Sequence, residues 1–573
     1  MRTAALSPEA RSAALRAMTA DTLDVLVIGG GIVGAGAALD AATRGLRTGL
    51  VEARDFASGT SSRSSRLIHG GLRYLEMLDF RLVAEALAER SLLLDRLAPH
   101  LVRPVPFLYP LTRRVWERGY VSAGLTLYDS LGVLSGRTRG VPRHRQLTRA
   151  GALRMMPGLR GDALVGAVRY FDAQVDDARY TMTVARTAAT FGAHVATRTR
   201  VTGLLREGGR VCGAEVCDLE TGERAALRAR QVISATGVWT DEMQAMSGRP
   251  GRFRVRASKG IHLVVPRSRI PGEAGLILRT EASVLFVIPW EEHWIIGTTD
   301  TPWELSPDHP AASSADIDYL LGHVNRVLAV PLTRDDVEGV YAGLRPLLAG
   351  ESDATSRLSR EHAVSTAPGL VLVAGGKYTT YRRMAADAVD AAAAGLSRPV
   401  PASCTAEVPL AGADGFRALW NQRAALAARH GVGGGRMERL LRRYGSLAPD
   451  VLALAAGSPD LGEPLTGAPH HLRAEIVYGA AQEGARHLDD VLARRTRISV
   501  ETPDRGTEAA EEAARLMGEV LGWSAAQRET EVEHYLLRVA AERESQMMPD
   551  DETADAARMG APDVVPLREG PAG

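Results

Sequence analysis

The stretch that most constrains the fold runs from Asp24 to Glu52. Residues 25–28 (VLVI) are a short apolar run with β-branched members, the mark of a buried strand. Gly29, Gly31 and Gly34 follow at once as G-x-G-x-x-G. The first glycine makes a tight turn, the second lets backbone N–H groups approach a pyrophosphate, and the third lets helix and strand pack closely. Residues 37–44 read as the ensuing helix, its positive dipole end toward the phosphates, and Gly45 ends it. Residues 47–51 are a second strand, with Glu52 at its tip to accept hydrogen bonds from a ribose diol. With 58 glycines in 573 residues, the bare pattern arises by chance about 0.5 times in such a chain. The strand, the helix and the placed carboxylate are what make it a dinucleotide site. A turn that only packs leaves Glu52 without a role.

A chain of 573 residues implies two or three domains. Sixty-nine basic against 68 acidic residues gives a net charge of +1, which speaks against nucleic acid as a partner. Three cysteines (Cys212, Cys217, Cys404) make neither a disulfide framework nor a zinc site, so no metal is expected and a reducing, cytoplasmic setting fits. No apolar run reaches about 18 residues, and residues 1–23 lack the features of a signal peptide. Ser7-Pro8 opens a short helix there, read as a docking arm.

After Glu52 the loop Ser58–Ser65 must pass the cofactor. The hydroxyls of Thr60, Ser61, Ser62 and Ser65, with free N–H groups, suit phosphate oxygens. Further on, QVISATG (231–237) is a buried strand ending at Gly237, beside the cofactor. Residues 259–266 (KGIHLVVP) place Lys259 and His262 at the start of an alternating strand, followed by two more strands at 284–290 and 293–297. Arg345, ahead of Pro346, sits on extended backbone, a rigid mount for a guanidinium. Residues 370–374 form a strand, Gly375-Gly376-Lys377 a turn, and an alanine-rich helix follows.

The run SSRSSRLIHGGLRYLE (61–76), with VIGGGIVGAG before it and KGIHLVVP, IIGTTD, YAGLRPL and GGKYTTYR after it, resembles the FAD-dependent glycerol-3-phosphate dehydrogenases of the membrane-associated respiratory type. The resemblance spans roughly residues 20–545. It implies an α/β fold: a Rossmann-like FAD-binding domain with an inserted antiparallel-sheet substrate domain, plus an all-α C-terminal domain. The expected boundaries are 24–78, 165–250 and 351–396 for the FAD domain, 79–164 and 251–350 for the substrate-binding and membrane-facing domain, and 402–546 for the helical domain. Residues 547–573, rich in proline, glycine and acids, read as a disordered tail.

The same resemblance implies oxidation of sn-glycerol 3-phosphate to dihydroxyacetone phosphate, the C2 hydride passing to flavin N5 and the electrons to a membrane quinone. Arg345 and His262 are then the catalytic pair, with Arg73, Tyr74, Lys377 and Lys259 holding substrate. His69, Gly70, Gly71, Thr379 and Thr380 join Gly29, Gly31, Gly34, Glu52, Thr60, Ser61, Ser62, Ser65, Gly237 and Gly376 in holding FAD. Two other readings stay open: an oxidase that passes electrons to O2, and a non-catalytic nucleotide-binding scaffold.

Residues 101–128 mix Pro104, Pro106 and Pro110 with Phe107, Leu108, Tyr109, Trp116, Tyr120, Tyr128 and several arginines. The prolines suggest irregular structure. Aromatics with arginines suit a lipid headgroup boundary, and the resemblance places this region on the inner face of a cell membrane. The last third is helical, with Asp489–Arg497 mixing acids and bases along a helix and a capping box at Ser524 and Gln527. This domain covers the substrate lobe or mediates self-association, as in a homodimer.

Overall fold

The computed structural model describes residues 3–71, 79–112, most of 119–130, 141–248, 254–280, 284–349 and 362–566. Two sheets organise it. The first has eight strands. Its parallel centre runs His194–Ala196, Thr48–Val51, Leu23–Ile28, Arg224–Ser234 and Leu370–Gly375. Every residue of Leu23–Ile28 except Asp24 is buried, because a central parallel strand is covered on both faces. The helix Ile32–Thr43 starts earlier than its sequence suggested, directly at the N-cap Gly31. It packs with the helices Asp177–Thr190 and Tyr381–Ala393 on one face of the sheet. At Gly36 a methyl would stand 2.9 Å from the Tyr381 ring, so the small residue sets the helix–helix distance.

The strand Arg224–Ser234 serves two partners. Its first half pairs antiparallel with Arg210–Asp218, and its second half parallel with Leu23–Ile28. Sequence patterning had divided it into two strands.

The second sheet has ten strands. At its centre Val255–Pro266 pairs antiparallel with Gly339–Leu348 and with His293–Gly297. Three expectations are corrected here. The segment with Pro104, Pro106 and Pro110 is a regular strand, Arg103–Leu111, paired over its whole length with Gly166–Gln174. Prolines at a spacing of two or four put all three missing N–H groups on one edge, leaving the other edge free to donate. Phe107, Leu108, Tyr109 and Tyr128 are buried in the interior and cannot face lipid. Residues 113–118 and 120 lie outside the described residues. Gly166–Gln174 belongs to this second sheet, although its position in the chain had assigned it to the cofactor domain.

The C-terminal domain is helical with one small two-stranded sheet, Pro464–Leu465 with Ala468–Leu472. The capping box at Ser524 and Gln527 starts the long helix Ala525–Ser545. The Asp489–Arg497 segment is a single wide turn whose arginines leave their own domain. Arg495 makes a bidentate pair with Asp55, 2.7 Å on both arms, and both side chains are about 1% exposed. Arg179 reaches Glu483 at 2.7 Å and Arg497 reaches Asp176 at 2.9 Å. These charges fix the last third of the chain to the cofactor domain, instead of complementing a helix dipole.

The expected disordered tail is also corrected. Asp551–Met559 is a helix, capped by Asp550, whose carboxylate accepts from the Thr553 N–H at 2.9 Å. It is held by Lys259, a fully buried ammonium shared between Asp316 and Asp551. A buried cation needs paired carboxylates, and the segment after Gln546 supplies one of them.

Candidate active site

A cavity of about 680 Å³ runs between the two sheets. At one end are Gly29, Gly31 and Glu52. The Glu52 carboxylate accepts from the Gly30 N–H at 2.5 Å and the Arg54 N–H at 2.7 Å, and burial raises its pKa. Gly31, as N-cap, adds no side chain between the helix terminus and the cavity. Ser61 Oγ accepts from the Ile32 N–H at 3.0 Å, so this hydroxyl shapes the mouth of the helix. Thr60, Gly237, Gly376 and Thr379 also line the cavity. Gly237 and Gly376 have φ of 58° and 81°, left-handed values that suit a chain doubling back beside a ligand.

At the other end stand His262, Arg345, Lys377, Ser65 and His69. Strand parity puts them there. Gly260 and His262 share one face of Val255–Pro266, and their partners Gly343 and Tyr341 are flanked by Arg345 on the next strand. His262 Nε2 is 2.8 Å from Ser65 Oγ, and its ring stacks on Tyr341 at 4.7 Å between centroids. Gly297 leaves room for this imidazole: a methyl there would meet its ring at 2.9 Å from Cγ. Burial, then the cations Arg345 and Arg66, hold the His262 pKa well below its ordinary value. The imidazole is therefore neutral, with Nδ1 making no hydrogen bond among the described residues. Arg345 is aimed by Thr298 Oγ1 at 2.9 Å, the Thr299 carbonyl at 3.2 Å and Ser258 Oγ at 3.4 Å. Asp300 lies 3.5 Å from its guanidinium and also accepts from Ser258. His69 N–H donates to Thr379 Oγ1 at 3.2 Å, tying the two loops that flank this end.

Other expected site residues fall elsewhere. Lys259 is on the opposite face of its strand, in the buried cluster with Asp316 and Asp551, and does not line the cavity. Gly34 does not touch the cavity; a methyl there would strike the Gly29 backbone, so its role is helix–strand packing. Ser62 faces a second, smaller cavity. Gly70 packs on Leu87 and donates to Tyr128 Oη at 2.9 Å, part of a buried group with Asp172 and Arg90. Gly71, with φ of 76°, and Thr380, 3.5 Å from the Lys377 carbonyl, shape loops and do not line the cavity. Arg73 and Tyr74 lie outside the described residues.

Sequence reasoning passed over Arg63, Tyr341 and Asp300. Arg63 lies within the hydroxyl-rich loop and lines the cavity, but the hydroxyls had drawn the reading. Tyr341 opens YAGLRPL and Asp300 ends IIGTTD, but that they meet His262 and Arg345 is visible only in the folded chain.

A family model for FAD-dependent oxidoreductases matches residues 24–382, and one for the C-terminal domain of alpha-glycerophosphate oxidase matches residues 403–528. Glycerol-3-phosphate dehydrogenase 2 of Mycobacterium tuberculosis is 60% identical over 98% of this chain and 95% of its own length. The chain belongs to the FAD-dependent glycerol-3-phosphate dehydrogenase family. The mitochondrial member of Bos taurus is 38% identical over 89% of this chain and 72% of its own. The solved structure of the Bacillus halodurans family member, complexed with FAD, aligns with a TM-score of 0.77 at 30% identity, over 93% of this chain and 98% of that one.

FAD is the cofactor of this dehydrogenase family, and the residues present fit it. The cavity is elongated, with a strand-tip carboxylate and a glycine-lined helix terminus at one end. At its other end are the cationic and imidazole groups that a polar substrate needs.

Proposed function

We propose that the protein oxidises sn-glycerol 3-phosphate to dihydroxyacetone phosphate and passes the electrons to a membrane quinone. The observation that carries this is the neutral imidazole of His262 beside the anchored guanidinium of Arg345, at the far end of a dinucleotide cavity. Oxidising a secondary alcohol requires removal of the hydroxyl proton as the C2–H bond breaks. FAD, when bound, supplies the two-electron acceptor for the C2 hydride. Neutral His262 takes the hydroxyl proton, and its ring is kept in plane by Tyr341 and oriented by Ser65. Arg345, fixed by Thr298 and Thr299, stabilises the charge that develops on the substrate oxygen. Lys377 and Arg63 line the same cavity and match a phosphate dianion. Gly29, Gly31, Glu52, Thr60, Gly237, Gly376 and Thr379 would hold FAD.

The quinone and the lipid surface rest on the family. No helix among the described residues is long and apolar enough to cross a membrane. In sequence, residues 113–120 carry aromatic and arginine side chains of the kind that suit a lipid surface.

The test is anaerobic addition of glycerol 3-phosphate to the purified yellow protein. Bleaching of the flavin, followed by reoxidation with a short-chain ubiquinone or menaquinone analogue, is expected. Absence of bleaching would overturn the substrate. Stoichiometric peroxide in air, with no reoxidation by quinone, would make the enzyme an oxidase.

A further inference from the structure

Behind the wall of the main cavity lies a second one of about 170 Å³. It sits between the Ser58–Arg66 loop, the helix Ala525–Ser545 and the C-terminal helix Asp551–Met559. Its lining is rich in arginine, with Arg54, Arg63, Arg494, Arg538 and Arg558 present alongside the carboxylates Asp489, Glu531, Glu542 and Asp563.

Most of these charges are matched. Arg494 is paired with Asp55, Asp489 and Asp490 at 2.5–2.7 Å. Arg538 is paired with Asp489 at 3.1 Å and with Glu542. Arg54 has Asp308 at 3.2 Å. Two arginines are matched less fully. Arg558 approaches Glu542 at 3.7 Å and His309 Nδ1 at 3.4 Å, with no close carboxylate contact. The Arg63 guanidinium makes no hydrogen bond or ion pair among the described residues; Glu542 acts on it from a distance and is itself engaged by Arg538. Burial and the neighbouring Arg558 pull the Arg63 pKa down to about 10. A half-buried guanidinium with no carboxylate of its own, facing Arg558, Arg54 and Arg494, is a group that can take its counter-ion from solution.

We propose that this second cavity is an anion site for phosphate, taken as inorganic phosphate or as a small phosphomonoester, with Arg63 and Arg558 as its ligands. Guanidinium forks match the tetrahedral oxygens of phosphate. The cavity has room for a small phosphate and some of its hydration. Arg63 also lines the main cavity, so occupancy of one site acts on the other through a shared side chain. Arg63 is shared with the substrate end proposed above, but phosphate binding in the second cavity is testable without turnover.

The experiment is equilibrium dialysis of radiolabelled inorganic phosphate against the oxidised, FAD-loaded enzyme. Two binding classes per chain are expected, one of them weakened about tenfold or more in both Arg63→Gln and Arg558→Gln, and still present in Lys377→Met. Flavin content and far-UV circular dichroism report folding. Should Arg558→Gln fail to fold, Arg558→Lys keeps the charge and must show the class at reduced affinity. Competition with dihydroxyacetone phosphate separates the two sources: displacement from this class assigns a phosphomonoester, and its absence assigns the bare ion. A single phosphate class that is lost in Lys377→Met, or a second class indifferent to Arg63 and Arg558, would overturn the proposal.

Discussion

Gly260 lies on the central strand of the substrate sheet, directly against the Arg345 guanidinium. A methyl group built there stands 2.9 Å from Arg345 Cζ and closer still to Nη2 and to Thr298 Oγ1. Ordinary carbon–carbon contact is about 3.5–4.0 Å, so the fork must retreat by roughly 0.6–1.1 Å. Arginine is flexible and gives way, so the stability cost of Gly260→Ala falls at the lower end of overpacking, about 1 kcal/mol. In a chain of 573 residues that lowers Tm by only about 1 °C. Catalysis is less tolerant, because a misplacement of about 1 Å costs about 100-fold. Anaerobic stopped-flow bleaching of the flavin by glycerol 3-phosphate reads the effect. The variant should load FAD normally and reduce it about 100-fold more slowly. Adding Gly260→Ala to Arg345→Ala should cost nothing further, since the displaced group is already gone. A bleaching rate within about threefold of wild type would refute the reasoning, as would full additivity in the double variant.

Other outcomes follow from the same geometry. Glu52→Gln keeps the shape of the strand tip but weakens its acceptor, so the 450 nm absorbance per chain after dialysis should fall while the fold persists by circular dichroism. His487, between Glu531 at 2.6 Å and Glu220 at 3.0 Å, has its pKa raised to about 9. The folded state therefore binds the proton more tightly than the unfolded one. The stabilisation is complete below about pH 6.5 and is lost as pH rises through about 9; wild-type Tm should decline across that window, and the decline should flatten in His487→Gln. Asp551→Asn removes one of the two carboxylates on buried Lys259. The C-terminal helix should become cleavable by limited proteolysis near Met547–Pro549, with flavin content unchanged; equal protease resistance would show that the pair does not hold the helix.

The parts legible in the sequence were local. The strand, the G-x-G-x-x-G turn and Glu52 lie within thirty residues, and each carries its own geometry. The capping box at Ser524 needs only its own turn. What escaped depended on which face or partner a residue finds. Lys259 and Gly260 differ by one position, and parity alone sends the first to a buried carboxylate cluster and the second to the cavity. Pro104, Pro106 and Pro110 look like breakers until their common spacing is set on a strand edge. The C-terminal helix had local signals, with Asp550 as its cap, acids in its first turn and Arg558 in its last, but proline and acidic composition around it masked them. Arg494 and Arg495 were read as tuning their own helix because nothing nearby names Asp55, more than four hundred residues earlier.

That last pair sets a schedule. Asp55 and Arg495 are 440 positions apart, and Asp55 stands three residues after Glu52, in the loop that must close over the cofactor. At about 5–20 residues per second, the ribosome needs roughly 20–90 s to deliver the arginine after the aspartate has emerged. During that interval the loop carries an acid whose buried resting place does not yet exist. Flavin loading is therefore expected to await the finished chain: a ribosome-bound chain stalled before residue 495 should be colourless, and a yellow one would contradict this.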